Sequence, residues 1–195
     1  MDFDSDRPTP PPPRLARWLQ AAERIDVALY AAIAQSSTPK LDRAMARLSH
    51  AADYSRLSLC AAAGLAATGR RGRCAAAHGL ASVGVTASLV NLVAKPLGSR
   101  KRPDRVAEQV PSARHVRMPS STSFPSGHSA AAFAFATGVG HVHPAAAIPL
   151  RGLAALVAYS RVHTGVHYPG DVVAGALAGI ALAHLTTRAL DRHMA

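Results

Sequence analysis

Between Cys74 and Ala94 the chain runs for 21 residues, CAAAHGLASVGVTASLVNLVA, without a formal charge. Wound as an α-helix, such a run is about 30 Å long, the depth of a bilayer's hydrocarbon core, with its backbone polar groups satisfied internally. Similar apolar stretches recur along the chain as LSLCAAAGLAATG (57–69), SAAAFAFATGVG (129–140), GLAALVAYS (152–160) and VVAGALAGIALAHLTT (172–187). Charges gather at their ends and hardly enter them. Small residues at close helical spacing, Gly79, Val83, Gly84 and Ala87, suit helix interfaces inside a membrane. Ala dominates the apolar residues and aromatics are only 5%, which favours close-packed helices over sandwiches or barrels. The expected fold is therefore all-α: a membrane-embedded bundle of about five to six helices, with two N-terminal amphipathic helices. Several stretches fall short of the ~20 residues of an upright span, and mean hydropathy is only +0.09, so a soluble Ala-rich bundle is the competing expectation.

The first 55 residues differ in kind. Residues 1–13 are acidic and then Pro-rich, with no basic or apolar leader, and read as a solvated tail without a cleavable signal. Over 14–55, RWLQAAERIDVALYAAIAQ and PKLDRAMARLSHAADYSR space their apolar residues at helical intervals and are broken at SSTPK (36–40). Such helices lie either at a membrane interface or on the surface of the domain. Residues 56–188 form the expected core domain and 189–195 a C-terminal tail. Cys60 and Cys74, in or beside Ala-rich stretches, read as reduced packing residues. The net charge of +11 admits a nucleic acid, an anionic membrane surface or a phosphorylated substrate as partner.

Three polar clusters interrupt the apolar stretches. In KPLGSRKRP, Lys95 and Arg102 flank a loop that also holds Arg100 and Lys101. In FPSGHS, Ser126 stands where a helix N-cap is expected, which leaves the N–H groups of Gly127 and His128 facing outward as an anion site. In SRVHTGVHYPGD, Arg161 offers a planar fork for phosphate oxygens and His167 stands four residues before Asp171. A carboxylate on one imidazole nitrogen fixes the tautomer and leaves the other free to attack or to shuttle a proton. Asp171 is equally placed to cap a helix starting at Val172. The neighbours His163, Arg114, His115 and Arg117 match no part of this pattern: His163 is at most a supporting contact, and the other three line an entrance or a solvated loop. The HVHP pair at 141–144 has no further ligands near it in sequence and is not read as a zinc site.

Taken together, Lys95 with six residues before Arg102-Pro103, Pro125-Ser126-Gly127-His128, and Ser160-Arg161 with five residues before His167 and three more before Asp171 form a tripartite signature. It resembles that of the type 2 phosphatidic acid phosphatase family, over roughly Arg56 to Arg188, and SRVHTGVHYPGDVVAGAL is similar to actinobacterial members. Vanadium-dependent haloperoxidases and soluble acid phosphatases share the signature. The resemblance implies that Lys95, Arg102, Ser126, Gly127 and Arg161 bind the phosphoryl group, that His167 is the nucleophile oriented by Asp171, and that His128 is the acid and base. It implies no metal and no other cofactor, since cationic side chains supply the charge.

The substrate class so implied is a phosphorylated lipid: phosphatidic acid, phosphatidylglycerol phosphate, or a polyprenyl phosphate or diphosphate. The expected partners are that lipid and the bilayer; nucleic acid is not expected, and association with further copies of the chain is left open. RRGR (70–73) and HPAAAIPLR (143–151) are expected as turns on one side, with the three clusters on the other. The positive-inside rule then gives a multi-pass protein of the plasma membrane with its site on the extracytoplasmic face. Two rivals remain at this level: a soluble phosphatase or haloperoxidase on the same scaffold, and a non-catalytic membrane protein whose basic loops hold anionic headgroups.

Overall fold

The computed structural model describes residues 13–194. The expected Pro-rich tail, all but its last residue, lies outside the described residues. Among the described residues there are seven helices and no strand: α1 (Arg14–Ala34), α2 (Pro39–Ala51), α3 (Arg56–Ala67), α4 (Arg70–Leu89), α5 (Gly127–Val142), α6 (Pro144–His163) and α7 (Pro169–Met194). Helix α4 continues through a π-helical turn, Val90–Ala94, into Lys95–Leu97. The two N-terminal helices and the five that follow match the all-α bundle read from the sequence.

Chain breaks fall where the backbone demands them. Gly69 turns α3 into α4 at φ +102°, a conformation open to glycine and costly for other residues. Pro144 and Pro169 open α6 and α7 at the first helical position, where the missing N–H is no loss. RRGR and most of HPAAAIPLR are helical, not turns. Pro149 sits inside α6, as membrane helices tolerate, and only His143 separates α5 from α6. The stretch expected as a C-terminal tail continues α7 as far as Met194.

Helix α5 is the hub, packed against α4, α6 and α7. Ala130, Ala134, Ala136 and Val139 on it are fully buried. Backbones approach closely here: a Cβ at Gly138 would fall 2.6 Å from His78 O, and one at Gly179 would overlap Ala130 O. Of the small-residue stripe on α4, Gly79 and Val83 pack against Phe135 and Val139, whereas Gly84 faces open space. Cys60 and Cys74 are free thiols, and Cys60 is exposed, not packed.

Three helices are long and apolar enough to cross a membrane: Arg70–Leu97, Pro144–His163 and Pro169–His193. Exposed Leu89, Leu92, Leu156, Leu177 and Leu185 stud them. Helix α1 buries only Tyr30 and Ala34 and leaves Leu15, Trp18, Leu19 and Ile25 exposed.

Candidate active site

The C-terminal end of α4, the N-terminal end of α5 and the α6–α7 junction meet at one end of the bundle. A backbone bond from Ser126 N to Asp171 O, 3.0 Å, ties the second cluster to the third. The first cluster joins through Ser121, whose hydroxyl accepts from Lys95 Nζ at 3.3 Å and from Arg102 Nη2 at 3.3 Å. Arg102 is held by the carbonyls of Ser121, Thr122 and Val166 at 2.9–3.1 Å. Its Nη1 lies 3.2 Å from His167 Nε2.

That contact fixes the tautomer. A guanidinium only donates, so Nε2 of His167 carries the lone pair and Nδ1 carries the proton. Nδ1 lies 3.4 Å from both Asp171 Oδ2 and Ser123 Oγ, and Ser123 donates to the same carboxylate oxygen at 2.5 Å. His167 is 2% exposed, and burial pushes its pKa down to about 4, with Arg102 and Arg161 acting in the same sense and Asp171 against it. At neutral pH the ring is uncharged, with its lone-pair nitrogen on a cation.

Asp171 lies in the first turn of α7, which starts at Pro169, two residues earlier than Asp171 and three before the start expected at Val172. Its Oδ2 accepts the Tyr168 N–H at 3.0 Å, so it caps the helix and serves His167 at once. Ser126 occupies the N-cap position of α5 but makes no side-chain cap; its hydroxyl accepts from Ser129 Oγ at 3.1 Å. Without that cap, the N–H groups of Gly127 and His128 in the first turn have no intrahelical partner. A Cβ at Gly127 would fall 3.6 Å from Lys95 Nζ, which shows how near the amine stands to the helix terminus. The π-helical turn just before Lys95 shifts the register that aims this lysine.

On the other side of the site, Arg161 is 2% exposed; its Nη1 donates to Ser49 Oγ at 2.5 Å while its Nε has no partner. His128 Nε2 lies 3.0 Å from Asp53 Oδ1, and the same oxygen is 4.0 Å from Arg161 Nη1. Asp53 is presented by a turn in which Tyr54 (φ 56°) and Ser55 (φ 57°) are both left-handed, a strained arrangement for two non-glycine residues. A cavity of about 190 Å³ opens beside them, lined by Asn91, Lys95, Gly127, His128 and Tyr54 among others. The eight residues to which the signature gives roles thus lie at one end of the bundle, with Lys95, Gly127 and His128 on the cavity, Arg102 on a neighbouring pocket, and Ser126, Arg161, His167 and Asp171 buried.

Around these eight stand residues to which the sequence pattern gave no defined role. Arg100 bridges Asp171 Oδ1 at 2.9 Å and Asp26 Oδ2 at 2.6 Å, and Asp26 also accepts the Gly170 N–H at 2.6 Å. Helix α1 is thereby fastened to the site. Arg114 lines no entrance: it is fully buried, bonded to Asp42 at 2.7 Å and to the carbonyls of Ile33, Ala34 and Ser36, and so clamps the α1–α2 turn. His163 shares the same Asp42 oxygen at 2.9 Å. His115 bonds the Val110 carbonyl at 3.0 Å and Arg117 is exposed. Asp42 and Asp53 also have local contacts, to Thr38 and His50, but nothing local marks Asp26, Asp42 or Asp53 as parts of the site, because the partners that tie them to it stand 72 or more residues away.

Comparison with known proteins agrees with the helical fold. The profile of the PAP2 superfamily matches residues 76–195. The crystal structure of LpxE from Aquifex aeolicus is similar at a TM-score of 0.70 and 25% identity, covering 84% of this chain and 95% of that one. That of a transmembrane PAP2 type phosphatidylglycerolphosphate phosphatase from Bacillus subtilis is similar at 0.65 and 28%, covering 90% of this chain and 88% of that one. A search of curated proteins returned no match. A family match over more than half the chain, all three signature clusters gathered at one end, and the shared membrane-helix architecture lead to one conclusion: this chain is a member of the PAP2 superfamily.

Proposed function

We propose that the protein is an integral membrane lipid phosphatase that hydrolyses a lipid phosphomonoester or diphosphate through a phosphohistidine, without a metal. The observation that carries this reading is His167 itself: a neutral imidazole with its lone pair on Arg102 and its N–H toward Asp171. Lys95, Arg102 and Arg161, with Ser126 and the Gly127 N–H, bind the phosphoryl oxygens and neutralise the charge that builds on them. His167 Nε2 attacks phosphorus as the bond to the leaving oxygen breaks. His128, held neutral in the free chain by burial with its pKa down to about 4, takes up a proton as the anionic phosphoryl group enters beside it; with Asp53 holding Nε2–H it passes the proton on Nδ1 to that oxygen, releasing the lipid product. Neutral His128 then takes a proton from water; hydroxide attacks phosphorus, the P–N bond breaks and inorganic phosphate leaves.

A lipid substrate has support in the groove beside the site. Leu19, Ile25, Leu29, Phe124 and Val173 line a space of about 820 Å³ whose polar end is Arg100 and Asp26. An acyl or prenyl tail lies there while its phosphate reaches past the Arg100–Asp26 pair into the site. The three membrane-length helices weigh against the soluble rival. The opposite end carries Arg70, Arg71, Arg73, Arg188 and Arg192, which by the positive-inside rule argues for an extracytoplasmic site in the plasma membrane. The test is phosphate release from phosphatidic acid, phosphatidylglycerol phosphate and polyprenyl diphosphate in detergent, with denaturing isolation of a phospho-enzyme that is stable to base and labile to acid. No release from any of the three, or release without such an intermediate at rapid quench, overturns the lipid specificity or the covalent route respectively.

A further inference from the structure

At the end of the bundle away from the phosphate cup, the same three helices bring together two imidazoles and a carboxylate. His78 on α4, His141 on α5 and Asp191 on α7 offer ligand atoms that all lie within 4.8 Å of one another. His141 Nε2 is 2.8 Å from Asp191 Oδ2, and His78 Nε2 is 3.7 Å from Asp191 Oδ1. The imidazole rings stack with centroids 5.6 Å apart and planes at 25°, so their Nε2 edges turn toward the same carboxylate.

His78 is the decisive member. It is 3% exposed, and its Nδ1 lies 2.9 Å from the Cys74 carbonyl. A carbonyl only accepts, so Nδ1 carries the hydrogen and Nε2 the lone pair. That Nε2 is buried and has no hydrogen-bond partner. A lone pair facing a carboxylate oxygen is electrostatically unfavourable until a cation stands between them. A second-shell carbonyl that fixes the tautomer of a ligating histidine is also the usual arrangement at metal sites.

We propose that His78, His141 and Asp191 form a binding site for a divalent first-row transition ion, with Zn²⁺ the expected occupant. Two nitrogens and one oxygen suit Zn²⁺ far better than Ca²⁺ or Mg²⁺, which take oxygen ligands. Metal–ligand bonds of about 2.1 Å set a tetrahedral ligand–ligand separation of about 3.4 Å, between the two distances found here. Three protein ligands leave a fourth position for water, and the exposure of His141 (36%) and Asp191 (49%) gives the ion a way in. The site would cross-link α4, α5 and α7, whose other ends bear Lys95, His128 and Asp171. Counted at 1.5 Å per residue, 17 residues of α4 separate His78 from Lys95, about 25 Å. The ion therefore acts as a clasp on the bundle and takes no part in phosphoryl transfer. The HVHP motif held one of these ligands; the other two arrive from positions 63 residues before it and 50 after.

The experiment is zinc titration of the full, tag-free chain in detergent, by calorimetry and by thermal denaturation. One ion per chain is expected, with a rise in Tm of about 5 °C at a hundredfold excess over Kd. His141→Ala and Asp191→Asn, both at exposed positions, are each expected to weaken binding at least tenfold, while His184→Ala, also exposed, leaves it unchanged. Co²⁺ in place of zinc should give the intense visible absorption of a tetrahedral site, lost in His141→Ala. Absence of stoichiometric binding, or equal binding by parent and Asp191→Asn chains, overturns the assignment. None of these readouts depends on phosphatase activity.

Discussion

The two histidines of the site are held in opposite ways. His167 is sealed at 2% exposure, with Arg102 on one nitrogen and Asp171 and Ser123 facing the other. His128 borders a cavity, and its one polar contact is to Asp53, itself partly exposed on a strained turn. A group that must attack phosphorus along one line benefits from a fixed ring and a fixed tautomer. One that must hand protons between a leaving oxygen and water benefits from reach to solvent. The contrast teaches that the fold concentrates its rigidity on the proposed nucleophile and leaves the proposed proton carrier room to exchange.

The sharpest way to break this contrast is His167→Ala, expected to lower phosphate release by roughly 10⁴-fold or more and to abolish the phospho-enzyme. A purified variant with near-normal turnover would remove the nucleophile from the scheme. Asp171→Asn keeps the shape but loses the carboxylate, and a loss of roughly 10²–10⁴-fold in kcat is expected through the wrong tautomer. If kcat holds and only KM rises, Asp171 is a helix cap and nothing more.

The third test is pH. Burial holds the His167 pKa down to about 4 in the folded chain against about 6.5 when unfolded, so the unfolded state binds more protons between these values. Its contribution is fully present above about pH 6.5 and is lost as pH falls toward 4. The fall is roughly 3 kcal/mol, and comparing thermal stability of the parent with His167→Ala over pH 7.5 to 4 isolates it. A parallel pH dependence in both chains would show that burial does not depress this imidazole. A smaller effect is expected at the looser histidine: Asp53→Asn should cost roughly tenfold in kcat and shift the pH profile of kcat, because His128 still reaches water. Last, a chelator should leave turnover unchanged, since the proposed zinc clasp lies at the far end; full inactivation would put a metal into the chemistry.

Much of the site was legible because its cues are local. Pro125-Ser126-Gly127-His128 opens a helix whatever it packs on, and His167 with Asp171 sits across one turn, so spacing alone pairs them. The helix N-terminus at Gly127 was legible as well; the Ser126 side-chain cap was not, because its hydroxyl is taken by Ser129 one turn on. The turn expected over HPAAAIPLR failed because proline opens a helix as readily as it ends one, and Pro144 does the former. Arg114 looked like any loop arginine, and it turns out to be the buried bolt of the α1–α2 turn.

The order of apolar stretches settled, by itself, that this chain makes a helical bundle, and the three polar clusters marked its candidate phosphate site. Hydrophobic length and side-chain type are properties of a segment and need no neighbour. The tertiary structure alone decided which carboxylate meets which basic side chain: Asp53 meets His128, Asp26 Arg100, Asp42 Arg114, and Asp191 stands between two histidines of different helices. An ion pair is a statement about a few ångströms in space, and a chain that folds back on itself from helix to helix makes such distances independent of sequence separation.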